Sequence, residues 1–169
     1  MLERRKALDV PPDARRVRDR IAFRRRTDDL SSVLPRFNRW WDALCRQRGL
    51  EPGEGLPNDF GYHVVELVKN GLMAGDQVFV GASVSRRELT ALVQDDGPGF
   101  ADALQDRHLS LGQGQGLDGA VEFADQIQIE SRGRFYWKTP LGLQARARKT
   151  GSGTRILFRK FLRPARPGH

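Results

Sequence analysis

Apolar positions recur at helical spacing twice in the first half of the chain. Leu30, Val33, Leu34, Phe37, Trp40, Trp41 and Leu44 mark a first helix. Pro35 falls in its first turn, where a missing N–H costs little. Asp28 to Ser32 offer caps, and Gly49 ends the helix. A Pro/Gly-rich loop follows over residues 51–57. Asn58 or Asp59 is then expected to cap a second helix running to about Ala74, with Phe60, Val64, Leu67 and Gly71 on its buried face.

Beyond the turn at Gly75-Asp76 the spacing changes from helical to alternating. Gln77–Val84 and Glu88–Gln94 read as two strands joined around Ser85-Arg86-Arg87. Asp95 to Phe100 form a glycine turn, and residues 101–115 are polar and glycine-rich, like a mobile lid. Leu117–Asp125 predicts a short helix and Gln126–Ser131 a strand. A hairpin over 134–139 and 143–149 turns at Pro140-Leu141-Gly142, and Gly151-Ser152-Gly153 leads into a last strand, Thr154–Phe161. Near the start, Arg20 to Arg26 suits a short edge strand whose arginines discourage aggregation. The expected class is α+β: a two-layer α/β sandwich with a mixed sheet and helices on one face. Residues 1–19 read as a basic arm, 20–162 as a single domain and 163–169 as a frayed tail.

Composition narrows the choices. Apolar residues make up 38% and charged residues 30%, ordinary for a soluble domain with its own core. No run approaches a membrane span, and no apolar segment follows the basic N-terminus as a secretory signal requires. Cys45 is the single cysteine, so neither an internal disulfide nor a cysteine-based zinc site can form, and a cytoplasmic location is expected. The net charge of +8 is unevenly spread: residues 30–131 carry −7, whereas 132–169 carry +11 with no acid at all. Phe135, Tyr136 and Trp137 sit in that basic stretch. Such interleaving can bind a nucleic acid or an acidic protein, but a solvated hairpin is the favoured reading.

Three motifs carry candidate chemistry. Glu66 and Asn70, four apart, share one helix face with His63 and Met73 nearby. An amide oxygen there can ligate Mg²⁺, and the carboxylate can take a proton from an attacking hydroxyl or water. Solvated helices carry such pairs too. Asp95-Asp96-Gly97-Pro98-Gly99-Phe100 places an acid at the end of an apolar strand, where it can accept a hydrogen bond from an exocyclic amine such as that of adenine. Its glycines let the backbone pass close to a base; a plain hairpin turn uses the same residues. Gly112-Gln113-Gly114-Gln115-Gly116-Leu117 runs into a helix start, where backbone N–H groups and the helix dipole favour an anion. Gly114 to Gly119 also spell G-x-G-x-x-G, as in a dinucleotide-binding turn, but the preceding Asp106 to Ser110 is too polar for a buried strand.

Taken in order, these motifs resemble those of the GHKL ATPase superfamily, which includes DNA gyrase, the large heat-shock chaperone, histidine kinases and the MutL proteins. Glu66 and Asn70 match its N box. Asp95, Gly97 and Gly99 match its first glycine box, and Gly112, Gly114, Gly116 and Leu117 its second. Gly153-Thr154 matches the G-T before its last strand. The layout of residues 21–75 is most similar to that of the small anti-sigma-factor serine/threonine kinases. Three departures stand out: Gln115 where an apolar residue is common, Asp96 in place of a usual asparagine, and Asn-Gly-Leu-Met-Ala around Asn70.

The resemblance implies a GHKL (Bergerat-type) fold that binds ATP and Mg²⁺. It implies that Asp95 reads the adenine amino group with Thr154 nearby, and that Asn70 holds Mg²⁺. Gly97 and Gly99 would shape the base site, and Gly112, Gly114, Gly116 and Leu117 the phosphate cradle. Glu66 becomes the general base, acting on a serine or threonine hydroxyl or on water. The implied partner is a protein, either a sigma factor or a small antagonist domain whose serine is phosphorylated. Nucleic acid is a less favoured partner, no membrane partner is expected, and a homodimer stays open. His63 reads as a structural group, and Arg107 and His108 as exposed lid residues, with phosphate contact the second choice.

Overall fold

Apolar side chains alternate along seven strands, and those on one side of each strand meet a layer of helices. In the computed structural model, residues 17–25, 30–99 and 115–162 are described. Residues 1–16 of the expected arm, 26–29 with the expected cap at Asp28, 101–114 of the expected lid and the tail over 163–169 lie outside them. The elements run β1 (Asp19–Arg24), α1 (Leu30–Gln47), α2 (Gly55–Ala74), β2 (Gln77–Val84), β3 (Glu88–Asp95), α3 (Gln115–Phe123), β4 (Gln126–Ser131), β5 (Arg134–Thr139), β6 (Gly142–Ala147) and β7 (Thr154–Phe161). The fold is α+β. Its strands form one sheet in the order β1-β2-β3-β7-β4-β5-β6.

Every neighbouring pair in that sheet is antiparallel, which corrects the expectation of a mixed sheet. Connectivity gives the reason. With two helices in series, α1 and α2, the chain reverses three times between β1 and β2, so β2 returns antiparallel beside β1. The strands on either side of α3, β3 and β4, do run the same way, but β7 lies between them, antiparallel to both.

The helix-covered face carries Phe23, Val78, Val80, Leu89, Ala91, Val93, Ile127, Ile129, Ile156 and Phe158, all in one continuous core with the helices. On the other face Val17 and Leu92 are buried, with Leu157 packed against them. Val17, expected in the arm, thus packs onto the sheet, where a side chain on Gly81 would collide with it. β1 is an edge strand as expected, and Arg20 lies over Phe79 on its neighbour.

The helix layer is set by aromatic rings. Phe37 and Trp41 of α1 stack at 6.2 Å, Trp41 and Phe60 of α2 at 5.4 Å, and Phe60 and Phe158 of β7 at 4.5 Å. Each such pair contributes about 0.5–1.5 kcal/mol beyond its area burial. Trp41 also donates its indole N–H to the Pro57 carbonyl at 3.0 Å. A Cβ on Gly61 would come within 2.7 Å of that indole nitrogen, so only glycine lets α1 and α2 approach this closely. The start of α2 differs from expectation. It begins at Gly55 with Glu54 at the cap position, so Pro57, Asn58 and Asp59 lie inside its first turns. Pro57 is tolerated there because first-turn N–H groups have no intrahelical acceptor. α1 begins at Leu30, which puts Ser31 and Ser32 in its first turn and moves Pro35, expected in that turn, into the second.

Two predictions follow from this packing. Gly61→Ala should cost about 1–3 kcal/mol in chemical denaturation, because overpacking against Trp41 outweighs the better helix propensity of alanine. The buried Cys45 thiol is pushed up to about 12, first by burial and then by the nearby Asp42 charge. It should resist a thiol-specific disulfide reagent in the folded protein and react at once in denaturant.

Candidate functional site

α2 is the element that brings the motifs together. It is buried along most of its length, with Phe60, Val64, Val65, Leu67, Val68, Gly71 and Leu72 all inside. Its His63/Glu66/Asn70 side does not face open solvent but meets α3. A Cβ on Gly116 would lie 2.8 Å from Asn70 Nδ2 and 3.3 Å from Glu66 Cβ, so the first turn of α3 rests on the N-box pair. Met73, expected on the same face, is 55% exposed and takes no part.

The residue after Asn70 makes the second connection. A Cβ on Gly71 would meet Asp95 Cβ at 3.2 Å, so α2 packs directly on the acid that ends β3. Asp95 Oδ1 accepts the Gly97 N–H at 2.9 Å. Burial raises the Asp95 pKa above its ordinary value, while backbone hydrogen bonds from Gly97 and Thr154 pull it down and the neighbouring Asp96 charge pushes it up. Asp95 is paired in register with Thr154, which is 2% exposed and shares a 3.1 Å hydrogen bond with Ser131. Gly153 holds φ +82 and presses on the Asp95 carbonyl, leaving no space for a side chain. Gly99 holds φ +85 beside Ser131 and Arg132.

Glu66, Asn70, Asp95, Gly97, Gly99, Gly116 and Thr154 therefore gather at one end of the central strands, around the start of α3. Leu117 is buried beneath them in the core. Gly112 and Gly114 lie outside the described residues, as do Arg107 and His108.

The two adjacent acids divide their work. Asp96 Oδ1 accepts the N–H groups of Asp76 and Gln77 at 2.8 and 3.1 Å, closing the α2–β2 turn, so the departure at Asp96 has a structural use. Three neighbours escaped the motif reading. Lys69 Nζ lies 3.2 Å from Glu66 Oε1. Ser131 and Arg132 close the other side, with Arg132 Nε donating to the Pro98 carbonyl at 2.6 Å. An i,i+3 spacing could have revealed Lys69. Ser131 and Arg132 reach the site only through the sheet order, which no local pattern displays.

His63 has a packing role. Its ring lies 4.7 Å from Phe123 and 6.4 Å from Phe158. The basic C-terminal residues are also largely engaged. Lys138 Nζ donates to the carbonyls of Glu122 and Ala124, and Lys160 Nζ to that of Phe123, so both fasten the end of α3. Arg148 and Arg155 both pair with Glu130. On the uncovered face Phe135 and Trp137 stack at 5.7 Å beneath Arg146.

Mg²⁺ commonly takes one or two protein oxygens and completes its shell with phosphate oxygens and water. Asn70, with Glu66 one turn away, fits that donor set. Among the described residues no group of three His, Cys, Asp or Glu side chains is placed to hold a metal by itself. No helix among them is long and apolar enough to cross a membrane.

No protein-family model matches the chain, and no curated protein matches it.

Burial lowers the His63 pKa below 6.5, against the opposing charges of Asp59 and Glu66. The unfolded chain then binds more protons than the folded one between the lowered folded value and 6.5. Stability from His63 should be fully present above about pH 6.5 and fall as the pH is lowered through that window. Denaturation midpoints of wild type and His63→Phe should converge as the pH falls, with a smaller pH dependence in the variant.

Proposed function

We propose that this chain is a GHKL-type, Mg·ATP-binding regulatory protein kinase of the anti-sigma kind. It would transfer the γ-phosphate to a serine or threonine of a protein partner, a sigma factor or a small antagonist domain. The observation that carries this reading is the convergence at α2: Asn70 and Glu66 lie against Gly116, while Gly71 lies against Asp95. Motifs far apart in the chain meet around one helix N-terminus, the end of a helix that favours phosphate.

In this reading the Asp95 carboxylate accepts the adenine amino N–H. A donor of this kind favours the charged form that burial disfavours, so nucleotide binding would lower the raised Asp95 pKa. The α3 N-terminus, with Gly116 in its first turn, would offer backbone donors to the phosphates. Asn70 would hold Mg²⁺, which supplies charge neutralisation at the phosphates. Glu66, steadied by Lys69, would take the proton from the partner hydroxyl as its oxygen bonds to the γ-phosphorus. The bond from that phosphorus to the β-phosphate oxygen breaks, and ADP leaves.

A second reading is a regulatory binding module without turnover, in which the C-terminal surface grips an acidic partner or nucleic acid. The Phe135–Trp137 stack beneath Arg146 favours it. The engagement of Lys138, Lys160, Arg148 and Arg155 within the fold weighs against it. A dinucleotide site fits less well still. The strands flanking α3 are not neighbours, and both oxygens of Glu130 face arginines rather than a ribose.

Calorimetric titration with Mg·ATP, with NADP⁺ as control, tests the reading. Wild type should bind ATP saturably. Asp95→Asn should weaken binding about tenfold or more through loss of a charge-assisted hydrogen bond. Glu66→Ala should keep ATP binding and lower turnover about 10²–10⁴-fold. Equal loss of binding in both variants would refute this division of roles. Salt titration of partner binding separates the second reading, since contacts to a phosphate backbone weaken steeply as salt rises.

A further inference from the structure

A cavity of about 770 Å³ opens at the far end of β2 and β3, where Val84 and Glu88 flank the turn between them. Asp95 lies seven residues along β3 from Glu88, roughly 23 Å at the usual strand rise. The cavity is therefore separate from the candidate nucleotide site.

Three arginines line it from three segments: Arg18 ahead of β1, Arg48 behind α1 and Arg86 in the β2–β3 turn. None is in a salt bridge among the described residues. The one acid in the lining, Glu88, is already engaged, 3.4 Å from Arg159 Nε and accepting the Thr90 hydroxyl at 3.1 Å. Each arginine is carried by fixed backbone. Val17, beside Arg18, is buried against the sheet. The Arg48 N–H is bonded to the Cys45 carbonyl at 3.0 Å. The guanidinium of Arg86 lies across Gly49, 3.3 Å from where a Cβ would stand. Ser83 and Thr90, register partners on β2 and β3, add hydroxyls to the same wall.

Like charges gathered in one concavity repel one another, and a dianion between them removes that cost. Guanidinium groups match phosphate oxygens with paired N–H donors, and the volume lies within the range of small-ligand sites. We propose that this cavity binds a phosphate-bearing ligand, held by Arg18, Arg48 and Arg86, at a site distinct from the nucleotide pocket. The shared chemistry is a phosphate dianion, carried by a phosphorylated side chain, a small phosphate ester or the free ion.

The test is calorimetric titration of the full chain at fixed ionic strength with inorganic phosphate, O-phosphoserine and ribose 5-phosphate, with serine as control. Saturable binding of a phosphate compound but not of serine is expected. Arg48→Gln and Arg86→Gln should each weaken it about tenfold or more at an unchanged melting temperature. Tighter O-phosphoserine assigns a phosphorylated side chain, tighter ribose 5-phosphate a small ester, and no preference the free ion. Absence of saturable binding overturns the proposal, as does unaltered binding in both arginine variants.

Discussion

The rotation of α2 about its own axis is the constraint on which the rest depends. Rings from α1, α2 and β7 lie one upon the next, and the Trp41 hydrogen bond to Pro57 pins the start of the helix. A helix turned by one residue would swing every side chain by about 100°. Glu66 and Asn70 would then leave α3, and Gly71 would leave Asp95. The geometry at the candidate site is thus set by packing about two turns away, at Phe60 and Gly61.

Electrostatics at the site follows from how the fold shares its acids. Asp95 and Asp96 are neighbours in the chain, yet one is drawn toward the protein interior and the other ties down an exposed turn. Separating their tasks leaves the Asp95 carboxylate at the strand end, where Oδ1 accepts the Gly97 N–H and the Thr154 backbone adds a second hydrogen bond. At the other rim, Glu130 absorbs two arginines that would otherwise add to an already basic hairpin.

Much of this was legible from spacing. The strands Gln126–Ser131 and Thr154–Phe161 and the buried face of α2 emerge from periodicity alone, because alternation and the 3.6-residue repeat are local signals. Three things were not. The start of α2 was misplaced because Asn58 and Asp59 imitate caps while Glu54 does not. The antiparallel order was hidden because insertion of β7 between β3 and β4 is a long-range event. Within the site, Glu66, Asn70, Asp95 and Thr154 were readable as motif members, whereas Ser131 and Arg132 arrive from a turn whose place depends on that same insertion.

The end of α3 has a consequence for which substitutions the chain can accept. Five of the 29 basic residues are lysines. Two of them, Lys138 and Lys160, reach carbonyls at the end of α3, where a compact ammonium meets partners in more than one direction. A planar guanidinium, whose donors lie in one fixed fork, cannot reproduce that fan of contacts. In a protein otherwise written in arginine, exchanging the basic residue at these two positions would be felt as a loss of fit at the end of α3, not as a loss of charge.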